Sequence, residues 1–246
     1  MTTLTAPPVT RRPSSPRALA GLVYLANALV IVAGALVANL LLPGADGLTR
    51  SLVASVGVLL LAVVVARAVA VRGGGWAAVG LTHPREWRDI RLLVVPALLT
   101  LVPLLGGVRS MEGGVVAVLV VGYVMTGFME ELLWRGAVLR ILAPAGTRTA
   151  VWLGSAIFGA AHLTNVLFRG SVALVAAQAF GAFCFGVGYA ALRFRTNTIW
   201  PLMALHLMTD LFAAVGGLPK IPVLVGQDVV LLALGAFLIR TSRLPE

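Results

Sequence analysis

Three short stretches of this chain carry residues able to do chemistry, and all three lie inside apolar runs. "TGFMEELLWRG" (126–136) places Glu130 and Glu131 side by side with Arg135 behind them; "FGAAHLTN" (158–165) carries His162; "HLMTD" (206–210) carries His206 and Asp210. Ionisable groups are costly within a membrane span and normally face a bundle interior or a water-filled cavity. On a helix, Glu131 and Arg135 are one turn apart and can pair directly, whereas Glu130 is rotated by about 100° and points elsewhere. One carboxylate can thus be tied down while its neighbour stays available. Phe158 and His162 share a face, with Asn165 a turn further on, and His206 and Asp210 have the spacing at which a carboxylate can orient an imidazole.

Peptide hydrolysis needs an activated water, a base and donors for the developing oxyanion. Glu130 could take the proton from water, His162 could hold that water, and His206 could donate to the oxyanion with Asp210 fixing its ring. Alternatively, Glu130, His162 and His206 form a His/His/Glu set of the type that binds catalytic zinc with an open fourth position. The soluble H-E-x-x-H pattern is absent, so spacing dictates no divalent metal.

The elements that must position these groups are helices. The 246 residues are 59% hydrophobic and only 11% charged, with a mean hydropathy of +0.99; a soluble domain is nearer half apolar and a quarter charged. Apolar blocks of spanning length predict an all-α, polytopic membrane helix bundle of about eight helices, near 18–42, 51–71, 92–108, 114–142, 149–168, 171–192, 198–215 and 223–240. The polar site falls on the fourth, fifth and seventh. Counted at about 1.5 Å per residue from the ends that share a membrane face, Glu130, His162 and Asp210 lie roughly 18–20 Å deep and His206 roughly 12 Å. These depths permit a single buried site.

The net charge of +10 sets topology rather than nucleic-acid binding. With the N-terminus in the cytoplasm, fourteen arginines fall at cytoplasmic ends and loops, against Arg50, Arg109, Arg169 and Lys220 on the other side. That positive-inside bias predicts a multi-pass protein of the cell membrane with both termini cytoplasmic, its basic ends near anionic headgroups of the lipid bilayer. Residues 1–17 read as a disordered cytoplasmic N-terminus, and 18–242 as a single transmembrane domain. The loop Val71–Asp89 reads as interfacial, with Trp76 and Trp87 at headgroup depth. Cys184 has no partner for an intrachain disulfide. A proton-coupled transporter is a rival reading of the same buried set, and a non-enzymatic membrane immunity or scaffold protein is another.

Taken together and in order, "EELLWR", "FGAAHLTN" and "HLMTD" resemble the signature motifs of the CPBP (CAAX protease and bacteriocin-processing, or Abi) family of intramembrane proteases, related to type II CAAX prenyl endopeptidases. The resemblance covers roughly 122–213; the first three helices match nothing. It implies an eight-helix fold with a cavity open toward the cytoplasmic leaflet, and an endopeptidase whose substrate is a prenylated or small membrane-associated peptide or protein. It makes Glu130 the water-activating glutamate assisted by His162, Glu131 and Arg135 its support, and His206 with Asp210 the oxyanion-stabilising pair. Members are commonly labelled metalloproteases, and a metal-free glutamate mechanism has also been argued.

Overall fold

A computed structural model describes residues 15–169 and 171–241. Among these residues the chain is an all-α bundle. Seven helical segments are long and apolar enough to span a membrane: α1 (Pro16–Leu41), α2 (Gly47–Val71), α3 (Trp87–Gly106), α4 (Gly113–Ala145), α5 (Thr147–Leu167), α6 (Val172–Thr196) and α8 (Lys220–Thr241). The eighth expected helix, α7 (Trp200–Val215), is apolar but only 16 residues long. The expected disordered segment lies mostly outside the described residues; where it is described, α1 already begins at Pro16. Proline is suited to that place because the first turn has no intrahelical use for its missing N–H.

Close helix approach is set by small residues, the usual means of association where lipid removes the hydrophobic drive. Buried Ala54, Ala62, Ala66 and Ala70, with Val58, repeat every turn along α2, and Ala54 sits where a Cβ on Gly34 of α1 would be. Gly188 and Gly235 seat α6 and α8 against each other's backbones, and Gly159 seats α5 against Ala179 of α6. Large apolar side chains such as Leu29, Leu60, Leu98 and Phe237 point outward, as a lipid-facing surface requires.

The fourth helix departs from the continuous α-helix expected over 114–142. It is α-helical to Glu130, turns into a π-helix over Glu131–Val138, and resumes as a short α-helix and a final 3-10 turn. All eight π-helical residues are buried. Single-turn π distortions often occur at functional sites; here the whole segment is a wide plug across the middle of the bundle. The loop after α2 seals it from one side. Val79 is fully buried, and a Cβ on Gly136 would come within 2.9 Å of its carbonyl oxygen. That loop is held by the bonds from Ile199 N–H to the Gly80 carbonyl (3.0 Å) and from Arg85 N–H to the Thr196 carbonyl (3.1 Å). Trp87, in contrast, is 73% exposed.

Candidate active site

Gly127 decides how α4 meets α7. A Cβ at this position would lie 2.8 Å from the Met203 carbonyl oxygen and 3.2 Å from Leu207 N, so only glycine lets the two backbones come this close. The approach brings His206 onto the first residue of the π segment. Its Nδ1 donates to Glu131 Oε1 at 2.8 Å, and the same oxygen meets Arg135 Nη1 at 3.1 Å. Glu131 is wholly buried, Arg135 is 2% exposed and His206 is 6% exposed. The guanidinium lies 4.1 Å over the Phe158 ring, a cation–π contact that offsets part of its desolvation. Phe185, stacked on Tyr189 at 3.9 Å, closes the far face of His206 at 4.8 Å.

Glu130 turns the other way, as the helical rotation predicts. Its Oε2 is 3.8 Å from His206 Nε2, and Asp210 Oδ2 is also 3.8 Å from that nitrogen. Those separations are beyond direct hydrogen bonding and suit a bridging water or substrate atom. Glu130 and His162 line one cavity of about 90 Å³, shared with Met129, Trp134, Asn165 and Phe168 and, from the first two helices, Asn27, Ser51 and Ser55. That volume holds several waters.

His162 Nδ1 is 3.0 Å from the Phe158 carbonyl. A carbonyl only accepts, so Nδ1 carries the proton, and in the neutral ring Nε2 is an acceptor. The ring meets Phe158 edge-on at 4.8 Å, which makes Phe158 a shared support for His162 and Arg135. Asn165 donates to Gln178 Oε1 at 3.0 Å, an interhelical tie at the cavity wall.

Two expectations are corrected by this geometry. Asp210 does not take the imidazole N–H that orients His206; Glu131 does, because the Gly127 contact turns the ring toward α4 and leaves Asp210 beside Nε2. The Glu130 cavity is walled by Ser51 and Ser55 from the first part of α2 and by His162, Asn165 and Phe168 from the end of α5 and just beyond it. Glu130, His162 and His206 do not form a ligand set either: among the described residues no three His, Cys, Asp or Glu side chains are grouped to hold a metal ion. Both histidines keep Nε2 free, since His206 Nδ1 is committed to Glu131 and His162 Nδ1 to its own helix.

Other parts of the site escaped sequence reasoning. Asn27, 3% exposed, comes from a helix with no ionisable residue in its middle; an amide in the middle of a spanning helix was the available signal. Ser51 and Ser55 bond back to carbonyls of their own helix, Leu48 and Ser51 respectively, and carried no such signal. The π-helix and the Phe185–Tyr189 stack were equally silent.

No curated protein matches the chain. Residues 112–212, which run from the start of α4 to Phe212 in α7, match the family described as Type II CAAX prenyl endopeptidase Rce1-like. All six of Glu130, Glu131, Arg135, His162, His206 and Asp210 fall within the match. The segment that builds this site is therefore similar to the Rce1-like type II CAAX prenyl endopeptidases, in keeping with an intramembrane protease of the CPBP family.

Proposed function

We propose that this protein is an intramembrane endopeptidase in which Glu130 activates the attacking water. The observation that carries the reading is the unequal access of the two adjacent carboxylates: the Glu130 side chain is 17% exposed and lines a cavity with His162, while Glu131 has no exposure. A general base must be within reach of the water it deprotonates, and only Glu130 meets that condition. His162 Nε2 accepts a hydrogen bond from the same water and fixes its direction. His206 Nε2 faces the gap between Glu130 and Asp210, where a scissile carbonyl oxygen would sit. It donates to the oxyanion when the ring carries both protons, since Nδ1–H is already given to Glu131. Glu131 and Arg135 position His206 and bear no proton of the reaction.

The proposed substrate is a prenylated or small membrane-associated peptide or protein that reaches the site from the bilayer. No step is assigned to a metal, because the side chains present do not form a ligand set.

The test is cleavage of a quenched-fluorescent peptide library by the purified protein in lipid nanodiscs, comparing wild type with Glu130→Gln and His162→Gln. Turnover falls on the order of 10²–10⁴-fold in Glu130→Gln with wild-type thermal stability, and chelators leave the wild type active. Full activity in a folded Glu130→Gln protein would refute the assignment. A broad library left uncut by the intact wild type would favour a membrane scaffold or transporter.

A further inference from the structure

On the opposite side of the π plug lies a second, larger cavity, of about 430 Å³, at the arginine-rich end of the bundle. Arg85, Arg135, Arg140 and Arg193 line it, and among the described residues no Asp or Glu does. Two of these arginines are more than nine-tenths buried, Arg135 at 2% and Arg193 at 8% exposure. Each has donors with nothing to bond: Arg193 Nε and Arg135 Nη2 are inaccessible and make no hydrogen bond. Arg193 reaches a neutral acceptor, Asn197 Oδ1, at 3.1 Å through Nη1. It also lies within electrostatic reach of Arg85 and Arg140, which repel it. Glu131 neutralises Arg135 alone.

Buried charges are normally paired, because an unpaired ion loses its hydration with nothing in return. A cluster of four guanidinium groups around a cavity of this size, with buried donors left over, is incomplete without an anion. The missing partner must offer several acceptor oxygens to several planar forks, the geometry that matches arginine to phosphate. Basic pockets between transmembrane helices on the cytoplasmic side suit anionic headgroups.

We propose that this cavity is a binding site for a phosphate-class oxyanion, presented either by an anionic phospholipid headgroup or by a soluble phosphate. Arg193 and Arg135 bind from its walls, and Arg85 and Arg140 capture at its mouth. Because Arg135 also pairs with Glu131, the anion is bound one residue away from the catalytic cluster without entering the Glu130 cavity.

The test uses the full chain in nanodiscs and does not depend on proteolysis. Binding of radiolabelled pyrophosphate is measured in phosphatidylcholine discs, and retention of phosphatidylglycerol from mixed-lipid discs is measured by native mass spectrometry. Both are repeated for Arg193→Gln and for Arg140→Gln, the latter at an exposed position where misfolding is not at issue. Saturable binding of either probe that weakens by about tenfold per lost arginine contact supports the site. Pyrophosphate binding alone identifies a soluble ligand; selective lipid retention identifies a headgroup. Absence of saturable binding by both probes, or binding by Arg140→Gln and Arg193→Gln equal to that of the wild type, would overturn the proposal.

Discussion

Gly127→Ala is the sharpest test of how the site is assembled, because it adds one methyl group at a residue that touches no substrate. The new Cβ would stand 2.8 Å from the Met203 carbonyl, and ordinary contact begins at 3.4 Å. The atom met is backbone, so relief requires α4 and α7 to part by about 0.6 Å. Overpacking of this kind costs about 1–3 kcal/mol. The same movement stretches the 2.8 Å bond between His206 and Glu131 to about 3.4 Å, past the useful range for N–H···O. A misplacement of about 1 Å at reacting groups costs on the order of a hundredfold in rate, so this smaller one predicts a loss of about tenfold, expressed in kcat rather than KM. Turnover of the best peptide from the library is compared with that of Gly114→Ala, where a Cβ meets nothing within 4 Å. The control retains wild-type turnover and stability. If Gly127→Ala keeps kcat within about twofold of wild type, the helix contact does not hold His206 in place and the positioning argument fails.

Other substitutions probe the remaining parts. Arg135→Met strands the fully buried Glu131 carboxylate and lowers stability by about 3–5 kcal/mol, whereas the double variant Glu131→Leu with Arg135→Met regains most of it; denaturation in detergent reads both, and neither variant regains turnover. Asn27→Leu removes an amide from the wall of the Glu130 cavity and lowers kcat without lowering the melting temperature, since it exchanges a buried amide for an apolar side chain. Asp46 caps α2 by accepting the Thr49 N–H at 2.7 Å, and that bond holds its carboxyl below the usual carboxylate range. A depressed carboxyl stabilises the fold above its unfolded pKa and loses the effect as pH falls through the folded one. Asp46→Ala therefore melts below wild type at neutral pH, and the difference vanishes in acid.

The membrane-spanning bundle was legible in the sequence because spanning helices leave a strong signal, long apolar runs broken by arginine-rich ends. The Glu131–Arg135 contact was legible for a local reason: residues one turn apart meet even in the wider π-helix, whose turn of a little more than four residues still returns close to the starting face. The orientation of His206 was not legible. Whether its Nδ1 finds Asp210 on its own helix or Glu131 on another depends on the partner of Gly127, and a glycine announces close approach without saying to what. The π segment was hidden as well, since "ELLWRGAV" contains no proline and reads as ordinary α-helix. Asn27 belonged to a helix judged only by its hydropathy, which measures affinity for lipid and not which face meets a cavity.

The π plug explains why two adjacent glutamates do not share one role. Glu130 is the last α-helical residue and Glu131 the first π-helical one, so the change in winding occurs between them. From Glu131 onward every residue through Val138 is withdrawn from solvent, and the carboxylate that enters this dry layer survives there because His206 donates to one of its oxygens and Arg135 forms an ion pair with the same oxygen. Exchanging the two roles would require Glu131 to release both His206 and Arg135 and reach water through the aromatic wall of Phe158, Phe185 and Tyr189. Glu130 has no such debt to structure, its nearest ionic contacts being at 3.8 Å. The asymmetry predicts that the two conservative substitutions differ in stability. Glu130→Gln keeps the melting temperature and loses turnover, while Glu131→Gln loses both, because a neutral amide no longer compensates the buried guanidinium. A Glu131→Gln protein as stable as wild type would show that the carboxylate is not what holds Arg135 in the bundle.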